Sequence, residues 1–180
     1  MKRVHLVFTI VVHGFLIYLL YFLFTGYHPA EPGYHPPFFI FVLDTINLFI
    51  HEAGHFFLKP FWMWLYVLGG SLVQVLLPAA LLIVSLRQSP QYAVYPGFWT
   101  GENLVNVSAY IKDAPFMKLK LIAAGLIHDW NWLLSGDLEI ADPLGTCVFI
   151  TGVLICTTSV VTGIYFAIRS YREEDEDEPT

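Results

Sequence analysis

Charge is scarce in this sequence. Lys, Arg, Asp and Glu make up 13% of its 180 residues, about half the quarter that a soluble domain carries. With 56% hydrophobic and 17% aromatic residues, the shortage argues against a chain that folds in water. Basic residues are the scarcest, nine Lys and Arg against fifteen Asp and Glu, and no basic cluster accompanies aromatic residues on one segment, so nucleic acid is not an expected partner. Cysteine is nearly absent. Cys147 and Cys156 share one apolar run and on a helix lie roughly 13 Å apart, too far for a mutual disulfide. There is no internal repeat. No small-x-small cleavage site follows the first apolar run, Val4 to Phe24, and a run of about 20 residues suits a retained span better than a signal peptide. The charge that is present gathers at the end, where Glu173, Glu174, Asp175, Glu176, Asp177 and Glu178 supply much of the net charge of −6. The expected organisation is one membrane-embedded domain over residues 1–168 and an acidic, solvated tail over 169–180.

What is there in quantity is apolar sequence in lengths that cross the roughly 30 Å hydrocarbon layer. The runs are Val4 to Phe24, Phe38 to about Leu58, Ser71 to Leu86, about Tyr92 to Ile111, and Leu144 to Ile168. A Pro/Gly/His-rich loop, Thr25 to Pro37, separates the first two, and Phe61, Trp62, Trp64 and Tyr66 before the third are interface anchors. The expected fold is an all-α polytopic bundle of about five spans. A re-entrant segment is an option at Gly69-Gly70, where the chain either unwinds or turns, or within the amphipathic stretch Asp113 to Pro143. Lys2, Arg3, Lys59, Lys112, Lys118 and Lys120 fall on one side of such a bundle, and Arg87, Arg169 and Arg172 on the other. The excess favours a cytoplasmic N-terminus.

Within the second run stands His51-Glu52-Ala53-Gly54-His55. On a helix, residues four apart share a face, so both imidazoles can bind one Zn2+ while Glu52 can act on a water that the metal activates. At 100° per residue Asp44, Asn47, His51 and His55 form one stripe, and Phe39, Ile40, Phe41, Leu48, Phe49, Phe56 and Phe57 make up most of the remainder. An acid at the bilayer centre costs at least ~2.5 kcal/mol on insertion scales, so an aligned polar set in a span marks a site or a pathway. Asn47 is one turn before His51 and placed to orient its second ring nitrogen; Asp44, about 10 Å along the axis, is too far for that.

A catalytic zinc has three protein ligands and one open position. The third ligand is expected from Ile127-His128-Asp129-Trp130-Asn131-Trp132, with His128 first and Asp129 as its alternative; Asp113, Asp137, Glu139 and Asp142 are the remaining candidates. On the fourth run Asn103, Asn106, Tyr110 and Asp113 recur at helical spacing beside Glu102. They either line the cleft and hold a peptide backbone or oxyanion, or hydrogen-bond helices together.

A His-Glu-x-x-His motif in a hydrophobic span, followed by Gly69-Gly70, Gln74 and Pro78 and then a distal His or acid, resembles the site-2-protease-like intramembrane zinc peptidases (the M50 family), in particular its compact M50B-like branch. The likeness covers most of the membrane core. It implies a buried zinc on His51 and His55, Glu52 as the base, and hydrolysis of a partly unwound transmembrane or juxtamembrane peptide. The family's Asn-Pro-Asp-Gly and Leu-Asp-Gly ligand motifs are missing, Asp142-Pro143-Leu144-Gly145 being only a loose echo, and there is no PDZ-like insertion. Two other readings are a non-peptidase metal enzyme, such as an iron oxidase, which needs more histidines than His51, His55 and His128 provide, and a non-catalytic metal-binding protein acting through a membrane partner, in which Glu52 would have no use.

Overall fold

The computed structural model describes residues 2–119, 122 and 126–176, and these are all-helical or loop, without a strand. The helices are α1 (Lys2–Thr25), α2 (Phe38–Leu58), α3 (Met63–Gln88), α4 (Val94–Asp113), α5 (Asp129–Leu133) and α6 (Ala141–Glu176). Proline sets several limits. Pro36 and Pro37 immediately precede α2, Pro60 follows it, and Pro96 falls in the first turn of α4, where a missing N–H costs nothing. Pro78 is buried inside α3 without ending it.

Three segments are long and apolar enough to cross a membrane: Val7–Thr25, Met63–Gln88 and Leu138–Arg172. The five spans expected from sequence are therefore three by this measure. Helices α2 and α4 have 21 and 20 residues, but their inward polar positions dilute the apolar signal. The stretch after α4 is mostly loop, with α5 docked against α3 and α4. Gly69-Gly70 neither unwinds nor turns. Both lie inside continuous α3, buried, and their lack of side chains lets α2 press close: a Cβ on Gly54 would overlap the Gly69 carbonyl, and one on Gly70 would overlap the His51 ring. The other tight crossing joins α4 and α6, where a Cβ on Gly152 would come within 2.7 Å of the Gly101 carbonyl. Small residues at such crossings are how helices associate when lipid removes the hydrophobic drive.

The distribution of polarity is inverted relative to a protein in water. Phe38, Phe56 and Trp62 are 80%, 73% and 71% exposed, whereas Asn47, Glu102 and Asn103 are fully buried. Leu16, Leu19 and Leu23 of α1 pack with Ile40, Phe98, Val105, Cys156 and Val160 into one apolar cluster. The outer apolar surface is far too extensive for water and suits lipid. Trp62 and Trp64 are exposed between α2 and the body of α3. Helix α6 continues into the acidic tail as far as Glu176, and residues 177–180 lie outside the described part of the chain.

Candidate metal centre

Helical spacing puts His51 and His55 on the face of α2 that meets α3, their ring centroids 4.8 Å apart. Each ring is then fixed by one hydrogen bond from its Nδ1. In His51 it goes to Gln74 Oε1 at 3.0 Å, and in His55 to the Tyr66 carbonyl at 2.8 Å. A carbonyl oxygen only accepts, so Nδ1 carries the hydrogen in both rings, and in a neutral imidazole Nε2 is then a bare lone pair. The two Nε2 atoms face each other at 3.1 Å.

Asp129 completes the arrangement. Its Oδ2 lies 2.9 Å from His51 Nε2 and 3.1 Å from His55 Nε2. Three electron-rich atoms thus converge, one of them fully anionic, and the ion pairs of Asp129 among the described residues are with these histidines alone. A single proton relieves one edge of this triangle; a cation at its centre satisfies all three atoms. Ligands at the zinc–nitrogen distance of about 2.0 Å in a tetrahedron stand about 3.3 Å apart, close to the 2.9 to 3.1 Å observed here. His51, His55 and Asp129 are the group able to hold a metal ion among the described residues.

Asp129 is delivered by α5, a helix of five residues, too short to be stable by itself. Side chains pin it. The Trp130 indole donates to Ser71 Oγ on α3 (3.1 Å), Asn131 Nδ2 to the Ala114 carbonyl after α4 (2.9 Å), and the Asp129 N–H to the Tyr110 hydroxyl (3.1 Å).

His128, the first choice for third ligand, is not part of the triangle. Its Nδ1 accepts the Asn131 N–H at 3.2 Å, as an N-cap of α5, and its Nε2 faces Asp113 Oδ2 at 3.3 Å. Both nitrogens are engaged, and Asp113 also accepts the N–H groups of Lys118 and Leu119. His128 shapes the loop that presents its neighbour, and Asp129, the alternative, is the residue that meets the histidines. Asn47 does not orient His51 either. It donates to Glu102 Oε2 and accepts from the Trp99 indole, while Gln74, singled out in the sequence only as part of the family resemblance and not for this role, takes that task. A glutamine one helix away has no local signal to mark it.

A cavity of about 480 Å3 opens on this triangle, with Glu52, Asn106 and Tyr110 on its walls and Leu48, Ile122, Leu126 and Ile127 among its apolar lining. The volume is that of a small-ligand or short-peptide site. Asn106 and Tyr110 therefore line the cleft, one of the two roles open to them from sequence. Asn103 and Glu102 are outside its lining, with the Asn103 amide bonded to the Trp99 carbonyl.

No family model, no curated protein and no solved structure matches this chain. The site rests on its own geometry.

Proposed function

We propose that the protein is a membrane-embedded zinc metalloendopeptidase that hydrolyses a transmembrane or juxtamembrane peptide bond. The observation that carries this reading is the convergence of two Nε2 lone pairs and a carboxylate oxygen within 2.9 to 3.1 Å, beside a glutamate on the same cavity wall. Zinc fits better than the hard cations, which prefer all-oxygen shells. When bound, zinc supplies Lewis-acid polarisation of the scissile carbonyl and a lowered water pKa.

The chain's own residues do the remainder. His51, His55 and Asp129, all on the cavity wall, would hold the ion. Glu52 takes a proton from the attacking water and returns it to the departing amine. Tyr110 uses its hydroxyl oxygen to fix Asp129 and retains a proton with which to meet the developing oxyanion. The apolar lining holds a segment drawn from lipid, and the buried polar groups admit the water that hydrolysis consumes. In this reading α2 and α4 also span the bilayer, giving five spans with the N-terminus in the cytoplasm, and the kinship to the M50 peptidases is one of mechanism and motif.

The test is to purify wild type and Glu52→Gln in detergent, determine bound zinc by elemental analysis, and incubate both with a pool of transmembrane peptides. Both are expected to carry about one zinc per chain, and only the wild type to cut, the loss being on the order of 100-fold or more. A wild type without zinc overturns the reading; retained iron would redirect it to an oxidase.

A further inference from the structure

Along the cavity wall, through Gln74, Asn106, Asp44 and Tyr27, runs a polar network that the proposed chemistry does not use. From His51 Nδ1 the hydrogen bonds run outward in one direction. His51 donates to Gln74 Oε1 (3.0 Å), Gln74 Nε2 donates to Asn106 Oδ1 (2.9 Å), and Asn106 Nδ2 donates to Asp44 Oδ1 (2.9 Å). Asp44 Oδ1 also receives the Tyr27 hydroxyl at 2.8 Å. Behind it is Glu102, fully buried, its Oε2 held by Asn47 Nδ2 at 2.8 Å and its Oε1 without an N–H or O–H donor. Asp44, half-buried, holds its carboxylate inside the bundle with two donors on one oxygen. Burying such a charge costs several kcal/mol unless it is well hydrogen-bonded, so its persistence in an otherwise apolar bundle calls for a role.

We infer that Asp44, backed by Glu102, is a positioning residue for the metal ligand His51, acting across two amides. The inference rests on the metal-centre reading above. An amide chain is reversible: Gln74 and Asn106 could both turn over and keep the same number of bonds. Turned over, Gln74 would offer its NH2 to His51, Nδ1 would have to accept, and the ring hydrogen would move to Nε2, the atom facing His55 and Asp129. That tautomer cannot bind a metal. A carboxylate at the far end accepts and never donates, and Asn106 Nδ2 also donates to the Tyr27 hydroxyl at 2.8 Å, itself committed to Asp44, so the end of the chain favours the direction in which Nε2 is free. Asp44 thus selects the ligating tautomer from about 10 Å along α2.

The experiment is a zinc-affinity cycle by chelator competition in detergent on full-length wild type, Asp44→Asn, Gln74→Glu and the double variant. An amide in place of the Asp44 carboxylate can donate as well as accept, so Asp44→Asn is expected to weaken zinc about 10-fold, the lower end of what supporting residues cost. Gln74→Glu puts a carboxylate acceptor directly on His51 Nδ1 and makes the relay unnecessary, so adding Asp44→Asn to Gln74→Glu is expected to change affinity less than about 2-fold. Equal losses in both backgrounds would reduce Asp44 to a packing residue, and an unchanged affinity in Asp44→Asn would remove it altogether; either overturns the inference. Should Asp44→Asn not yield folded protein, Asn106→Asp carries the test. It gives Gln74 an acid one step closer, affinity is expected to stay within about 2-fold of wild type, and a loss above about 10-fold overturns the proposal. A wild type that binds no zinc instead fails the metal-centre reading.

Discussion

The chain contains two buried histidine–carboxylate clusters joined by a single peptide bond, and they are wired in opposite ways. In one, His128 and Asp113 close on each other and on backbone N–H groups, so every partner is matched. In the other, His51, His55 and Asp129 aim acceptors at a common point, their donors being turned away to Gln74 and the Tyr66 carbonyl. The first cluster is complete as protein. The second is the group that could hold a metal ion. The two histidines differ in where their ring nitrogens point, and burial does not separate them, since His51 and His128 are 7% and 6% exposed.

The largest effect that sharpens this contrast comes from exchanging the clusters' roles. His51→Ala and Asp129→Ala are expected to abolish zinc retention through gel filtration in detergent, falling from about one ion per chain to a trace, because two protein ligands do not make a stable zinc site. His128→Ala keeps three ligands and is expected to retain most of the metal. If His128→Ala loses zinc as completely as His51→Ala, the division into ligating and closed clusters fails.

Removing the ion is the next step down. Zinc at about 100 times its dissociation constant adds about 2.7 kcal/mol to the folded state. A chelator should therefore lower the thermal unfolding temperature of wild type in detergent by several degrees, and should not move that of Asp129→Ala. A chelator response that persists in Asp129→Ala would point to another metal site.

Below this lies the support for α5. His128→Asn loses the ring contact to Asp113 and weakens the cap on the Asn131 N–H, and it is expected to cost about 10-fold in zinc affinity, as residues that orient ligands do. Asp113→Asn should produce a similar loss, because its one remaining oxygen can accept from only one of the Lys118 and Leu119 N–H groups. Competition with a graded series of chelators resolves both from wild type.

How much of this could be read from the sequence follows a simple division by distance along the chain. His51, Glu52 and His55 lie within one and a half turns of a helix, and helical periodicity alone brings them together. The same periodicity places Asn106 and Tyr110 on one face, the face that lines the cleft. The third member of the His51-His55 group is legible only as a dipeptide: His128 and Asp129 are adjacent, and the choice between them turns on the N-cap bond from Asn131 to His128, which a linear reading of residue types favours poorly. Gln74 is out of reach because its function depends on the α2–α3 crossing that Gly54, Gly69 and Gly70 permit. Those glycines are visible in the sequence, but their meaning as a place of close approach is not. The five expected spans meet a similar limit, since α2 and α4 face polar groups inward and composition measures see the average of both faces.

Tyr110 touches both clusters and gives the finest test. Its ring lies 5.8 Å from the His51 ring and 4.4 Å from the His128 ring, and its hydroxyl takes the Asp129 N–H. Tyr110→Phe preserves the ring and leaves one buried N–H without a partner, a cost of about 1–3 kcal/mol in fold stability and a few-fold in zinc affinity through a looser Asp129. At saturating zinc the affinity term disappears. A hydroxyl that only props α5 would then leave cleavage unchanged, whereas one that also meets the oxyanion would lower kcat about 100-fold with KM little altered. The ratio of kcat for Tyr110→Phe and wild type at saturating zinc therefore separates the tyrosine's structural bond to Asp129 from its proposed place in the reaction.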